Sequence, residues 1–376
     1  MGWRWCLPAF ATSATEVDLL VVLKLVAGLA MLLGGAELLV RGASRLALRW
    51  GMAPLVVGLT VVAFGTSAPE LAIGIGAALQ GEADIALGNV VGSNIANVLL
   101  ILGICALVSP LVVRRQLIWL DVPVMVAVSL GVLAMSLDGE LLRGEGIGLA
   151  ALGVAYVSGL LWMARRGNGD DAAGDAELPD AGADVPAWRH LLVLVAGLAV
   201  LVLGSQWLVD GAVSIATAMG VSELVIGLTV VAIGTSLPEI ATSVLAVMRG
   251  ERDMAVGNIV GSNVFNLLFV LGATAAIAPD GIAVGAAAVR FDLPVMTAVA
   301  LACMPIFFTG HCIQRWEGGL FLGYYLAYLA YLLLDAADHD ALPAFSAMMM
   351  AFVVPLTVIT LAVVTLRAWR ARHPRP

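Results

Sequence analysis

The chain contains itself twice. Shifted by 169 residues, Gly58 to Gly103 lies over Gly227 to Gly272, and about 27 of 46 aligned positions are identical, far above chance. The match extends upstream through Gly35 with Gly204 and Gly42 with Gly211. Downstream it reaches Asp121-Val122-Pro123-Val124-Met125, which resembles Asp292-Leu293-Pro294-Val295-Met296 at a slightly different offset. Whatever one copy folds into, the other must fold into as well.

The medium follows from composition: 61% hydrophobic and 12% charged residues, with a mean hydropathy of +1.01, against about 25% charged in soluble proteins. Apolar stretches long enough to cross a bilayer recur along the whole chain, which argues against a secreted protein with a signal peptide. Spans are expected near 18–40, 52–80, 84–108, 118–137, 146–164, 190–209, 221–248, 253–278, 292–309, 317–334 and 345–366. These runs are continuously apolar, so helices are expected and not the alternating strands of a barrel.

The fold class is therefore all-α and polytopic, with two five-helix copies at 18–164 and 189–334 and an eleventh helix at 345–366. An odd number of crossings per copy makes the second enter the membrane from the opposite side, the inverted repeat of many transporters. Between the copies, residues 165–188 carry Asp170, Asp171, Asp175, Glu177 and Asp180 and read as a solvated acidic linker. Arginines follow the odd-numbered helices, at Arg41, Arg45, Arg49, Arg114, Arg115, Arg165, Arg166, Arg249, Arg252 and Arg315. This bias puts the N-terminus outside and the linker and C-terminus in the cytoplasm. A plasma membrane, the inner membrane of a bacterium, is the expected location.

The net charge of −8 is inflated by the linker and by residues 335–340, and it says little about partners. Nothing suggests nucleic acid. Cys6, Cys105, Cys303 and Cys312 show no metal-ligand spacing and read as packing residues. His190, His311, His339 and His373 all fall at span ends or in loops.

Chemistry concentrates at Gly65-Thr66-Ser67-Ala68-Pro69-Glu70 and its copy Gly234-Thr235-Ser236-Leu237-Pro238-Glu239, both in the middle of apolar runs. A carboxylate at that depth costs about 2.5–3.5 kcal/mol on insertion scales, and no Lys or Arg lies at comparable depth to offset it. Pro69 and Pro238 cannot bond the carbonyls of Gly65 and Gly234, so both helices should kink and free those oxygens. Thr66, Ser67 and Glu70 stand at i, i+1 and i+4 on one face. An all-oxygen set of this kind suits Na⁺ or Ca²⁺ and not a soft metal.

The following helix of each copy adds Asn89, Ser93 and Asn97, or Asn258, Ser262 and Asn266, spaced by four on one face. The plainer reading of such polar positions is interhelical glue, and for Gly88, Gly92, Gly257 and Gly261 close packing is the simple explanation. For Asp121 and Asp292, each two residues before a proline, the simple explanation is N-capping. Glu82, Asp84, Glu251 and Asp253 read as solvated loop charges.

Taken together, these residues resemble the sodium/calcium exchanger family of the cation/calcium exchanger superfamily. Its two alpha-repeats carry G-T-S-x-P-E followed by G-N-x-x-G-S-N. The resemblance implies ten core helices, a central site made by the four motif-bearing helices, and alternating access by movement of the first and sixth. It implies Glu70 and Glu239 as central calcium and sodium ligands. Thr66, Ser67, Thr235, Ser236, Ser93 and Ser262 become sodium ligands, and Ala63 and Ala232 backbone-carbonyl ligands. Asn97 and Asn266 match the polar position four residues beyond the motif serine, where many exchangers have aspartate in the second copy. With Asn266 there, Glu70 and Glu239 balance one Ca²⁺ or two Na⁺, and a third Na⁺ would leave the site at +1.

The expected activity is secondary antiport of Ca²⁺ against Na⁺, with no cofactor beyond the transported ions and no enzymatic step. Exchange against H⁺, dependence on K⁺ and a passive cation channel are the alternatives. An intramembrane hydrolase using Ser67 or Ser236 lacks a histidine at depth.

Overall fold

A computed structural model describes residues 19–81, 83–166, 186–219, 232–337 and 339–372. Nearly all of them are helical. Among the described residues, nine helices are long and apolar enough to cross a membrane, or ten if one bent pair counts as a single span. In chain order they are α1 (Leu20–Trp50), α2 (Pro54–Thr66 with Ala68–Gln80), α3 (Ile85–Val108), α4 (Leu117–Asp138) and α5 (Arg143–Ala164). The rest are α6 (Ala187–Ala218), α8 (Arg252–Ile277), α9 (Ala288–Phe308), α10 (Arg315–Ala336) and α11 (Leu342–Thr360), and between α6 and α8 lies the shorter apolar helix α7 (Leu237–Met248). The first part of the seventh expected span, residues 220–231, lies outside the described residues, as does most of the linker, 167–185.

α1 and α6 run well past the spans expected for them. At about 1.5 Å per residue, the 31 residues of α1 reach about 46 Å, against a hydrocarbon core of about 30 Å. They pack on each other antiparallel through glycines seven residues apart, Gly28, Gly35 and Gly42 on α1 and Gly197 and Gly204 on α6. A Cβ on Gly35 would stand 2.4 Å from the Leu201 backbone nitrogen, and one on Gly204 would stand 2.5 Å from that of Leu32. Without side chains in the seam, the two backbones touch.

The centre is built from α2, α3, α7 and α8. In α3 and α8, 83% of the apolar window is buried, so both are enclosed by protein on nearly every side. Gly58 lies against Met254 and Asn258, and Gly257 and Gly261 against Leu55 and Leu59, so close approach is the role of Gly257 and Gly261, whereas among the described residues nothing lies within 4 Å of a Cβ on Gly88 or Gly92. Outside the helices, β1 (Leu111–Val112) pairs with β4 (Cys312–Ile313), and β2 (Glu140–Leu141) with β3 (Ile282–Ala283). β1 and β3 hold equivalent places in the two copies, as do β2 and β4, so one pairing occurs twice.

Some charged residues depart from expectation. Asp121 and Asp292 are not N-caps: both have helical backbone angles and make no capping bond. Each ends a stretch of π-helix, Leu117–Asp121 or Ala288–Asp292, and accepts a hydrogen bond from a tyrosine. Tyr156 donates to Asp121 at 2.8 Å and Tyr328 to Asp292 at 3.2 Å. Proline two residues on is equally compatible with an uninterrupted helix whose bonding ring has widened by one residue. Asp253 is no free loop charge either, since Arg114 donates to it at 2.6 Å. Glu251 is half-buried, and desolvation pushes its carboxyl above the usual range. Cys105 and Cys303 are buried and free, as packing residues would be.

Candidate ion-binding site

α2 breaks where the proline predicts, its two segments meeting at 44°. Ser67 sits at the break with φ −83° and ψ 6°, and Ser236 holds the matching angles of −91° and 5°. Both lie in the sparsely populated bridge region where active-site residues recur. Pro69 and Pro238 each fall in the first turn of the segment that follows, with Glu70 and Glu239 beside them.

Around these breaks the polar side chains converge. Thr66, Ser67, Glu70, Ser93, Asn97, Ser236, Glu239, Ser262 and Asn266 are all buried, none more than 3% exposed. Ser67 Oγ donates to Glu239 Oε1 at 3.4 Å, joining the two copies at the level of the carboxylates. Thr66 Oγ1 donates to Asn258 Oδ1 at 3.2 Å, and Asn258 Nδ2 donates to Ser243 Oγ at 2.9 Å. The Ser93 hydroxyl approaches the Glu70 carboxyl without reaching hydrogen-bond geometry. Thr235 is half-buried and engaged by a neighbour. Ala232 opens the described part of its helix.

The buried oxygens that accept nothing form a specific set. Among the described residues they are both carboxylate oxygens of Glu70, Oε2 of Glu239, the hydroxyls of Ser93, Ser236, Ser262 and Thr242, and Oδ1 of Asn97 and Asn266, with the Ser44 and Ser136 hydroxyls the two that lie away from the motifs. A buried oxygen without a partner costs about 1–3 kcal/mol, and a cation bound among several removes that cost at once. Seven of the twelve expected site residues contribute such atoms. Among the described residues no cluster of three His, Cys, Asp or Glu exists, so any ion here rests on two carboxylates and neutral oxygens.

Two expected ligands are already engaged. The Ala63 carbonyl accepts from Ser67 N at 3.0 Å and from Thr66 Oγ1 at 3.4 Å. The carbonyl of Gly234, freed by Pro238, is taken by Ser205 Oγ of α6 at 3.0 Å. Thr242 was missed by sequence reasoning because its counterpart in the first copy is Ile73. The π-helices Asn97–Leu102 and Asn266–Val270 were missed too; each starts at an expected ligand, a common position for such distortions.

Comparison with known proteins agrees with this geometry. The sequence matches the sodium/calcium exchanger protein family over residues 20–162 and 189–334. Sodium/calcium exchanger MaX1 of Methanosarcina acetivorans is 32% identical over 347 residues, covering 82% of this chain and 97% of that one. Inner membrane protein YrbG of Escherichia coli is 36% identical over 266 residues, covering 70% and 82%. Among solved structures, the sodium-calcium exchanger NCX_Mj, soaked with 10 mM Na⁺ and zero Ca²⁺, superposes with a TM-score of 0.71 at 29% identity. That match covers 84% of this chain and 99% of the other. The repeat, the broken helices and the paired carboxylates thus have a common origin, and the chain belongs to the sodium/calcium exchanger family.

Proposed function

We propose that this exchanger-type transporter moves Ca²⁺ in antiport against Na⁺, by alternating access to one midplane site shared by two inverted five-helix copies at 18–164 and 189–334. The observation that carries this reading is the placement of the unpartnered buried oxygens. Most of them fall on equivalent residues of both copies, Ser93 with Ser262, Asn97 with Asn266 and Glu70 with Glu239. Glue between helices would leave such oxygens paired.

In this reading Glu70 and Glu239 supply the charge that pulls a cation out of water. Ser93, Asn97, Ser236, Ser262 and Asn266 replace its hydration shell, completed by Thr66, Ser67, Thr235 and the carbonyls of Ala63 and Ala232. The two carboxylates neutralise one Ca²⁺ or two Na⁺, so either load leaves the site without net charge. That equivalence is what exchange requires, because an uncompensated charge would resist crossing. The antiparallel packing of α1 on its counterpart α6 supports the inverted arrangement. The N-terminus then faces outward, and the linker and C-terminus the cytoplasm, of a bacterial inner membrane. The helix at 345–366 is an addition to the ten-helix core.

Calcium uptake into proteoliposomes under separately imposed Na⁺, K⁺ and H⁺ gradients tests this. An outward Na⁺ gradient should drive uptake, and Glu70→Gln or Glu239→Gln should each abolish it. Full uptake in either variant sinks the ligand assignment. Uptake driven by a pH gradient without Na⁺ makes the counter-ion a proton, and uptake needing no trans ion makes the protein a channel.

A further inference from the structure

Asn94 and Asn263 are equivalent residues, each one position beyond a candidate ligand serine, and the sequence argument gave neither a role. Both are buried, at 3% and 2% exposure. Their amides tie the copies together in mirrored fashion. Asn266 Nδ2 donates to Asn94 Oδ1 at 3.2 Å, and Asn97 Nδ2 donates to Asn263 Oδ1 at 3.3 Å. Each central amide nitrogen then meets a thioether, Asn94 Nδ2 the sulfur of Met296 at 3.8 Å and Asn263 Nδ2 that of Met125 at 3.5 Å.

The direction of the first chain is fixed by chemistry. Asn94 Nδ2 also donates to the backbone carbonyl of Asn263 at 3.3 Å, and a carbonyl can only accept. The Asn94 oxygen must therefore face Asn266, and Asn266 must offer its nitrogen in return. That leaves Asn266 Oδ1 turned away from Asn94 and without a partner, like Asn97 Oδ1 in the mirrored chain. Beside these residues lies a cavity of about 10 Å³, lined by Asn94, Asn263, Met125 and Met296, with room for about one water.

We propose that Asn94 is a positioning residue for ion binding, one that turns the amide oxygen of Asn266 toward the ions, and that Asn263 does the same for Asn97. An unheld amide would present its NH₂ as readily as its oxygen, and an NH₂ repels a cation. The inference rests on the assignment of Asn97 and Asn266 as ligands in the antiport reading. It also explains how asparagine can stand where a carboxylate needs no orienting.

The test is a double-mutant cycle on Ca²⁺ binding by the purified full-length protein, measured by titration calorimetry. Asn94→Leu should weaken Ca²⁺ binding about tenfold or more, the usual effect of losing a residue that orients a metal ligand. In the Asn266→Asp background the same change should cost less than about twofold, because a carboxylate has two equal oxygens and no NH₂ to hold. A residue that merely packs would cost the same in both backgrounds, and that result, or no loss in either, overturns the proposal. Asn263→Leu against Asn97→Asp repeats the cycle on the mirrored chain. If the Leu variants do not fold, Asn94→Ala against Asn266→Asp repeats the cycle with a smaller change, and an equal loss in both backgrounds overturns the proposal. Failure of the antiport reading shows separately, as a parent protein that binds Ca²⁺ but takes up none under a Na⁺ gradient.

Discussion

The four central helices and the α1/α6 pair achieve contact by opposite means. In the centre, side chains reach across from one copy to the other: Thr66 to Asn258, Ser67 to Glu239, Asn97 to Asn263 and Asn266 to Asn94. Each of these bonds demands one register. Along α1 and α6 the contact is made by the absence of side chains, with only 22% and 28% of the two apolar windows buried. A glycine seam fixes distance but holds no directional bond. One region holds atoms by directional bonds and the other by close backbone contact, which under the proposed antiport is the contact that could permit displacement along its length.

The two regions meet along α1 and α7 and at particular residues of α6. Leu198 and Val209 of α6 lie where Cβ atoms on Gly65 and Gly234 would be, 3.2 Å and 2.3 Å away. Ser205 bonds the Gly234 carbonyl. Glu37 of α1 pairs with Arg249 at the end of α7. Any movement of α6 would therefore pass its side chains over the two glycines that begin the candidate ion-binding motifs.

The comparison can be broken or sharpened by substitution. The largest effect is expected in the seam: Gly35→Val or Gly204→Val places a side chain inside the opposing backbone, forces the helices apart and should cost about 1–3 kcal/mol. Thermal unfolding in detergent reads the loss, and a variant that keeps parental stability and transport would show that the seam is not closed. Gly234→Ala comes next, because its new methyl meets the β-branched Val209, whereas Gly65→Ala meets the far end of flexible Leu198. Transport should fall further in Gly234→Ala than in Gly65→Ala, with Ca²⁺ binding close to parental in both. The reverse order would mean that α6 does not govern access to the motifs. Smallest is Arg249→Gln, which removes a half-exposed ion pair worth about 0–1 kcal/mol. It should leave stability nearly unchanged while altering the transport rate, and an unchanged rate would remove this pair as a link between the regions.

Much of the centre was legible in the sequence because its signals are local and duplicated. Proline four residues after Gly65 predicts the break, and a glutamate in an apolar run predicts the site. The seam was only half legible: Gly35 with Gly204 and Gly42 with Gly211 stood out as repeat matches. That Gly35 faces Gly197 and Gly204 faces Gly28 depends on an antiparallel packing that no spacing reveals. Asn94 and Asn263 escaped for a geometric reason. Lying one residue from a ligand serine, they point about 100° away from its face on a helix of 3.6 residues per turn, and a count of faces discards them. Asp121 and Asp292 were misread because a proline nearby suits a cap and a widened helix equally. Their tyrosine partners lie 35 and 36 residues away.

The mirrored amide chains have a consequence for how such a chain can change over generations. Asn94 is held by Asn263, Asn266 and Met296, all in the other copy. Two halves that began as one gene and duplicated are free to diverge only where they do not touch. Here they touch through hydrogen bonds that run both ways. A substitution at Asn266 or Met296 must be answered 172 or 202 residues earlier, so paired substitutions at 94 with 266 and at 97 with 263 are the mark expected in related sequences.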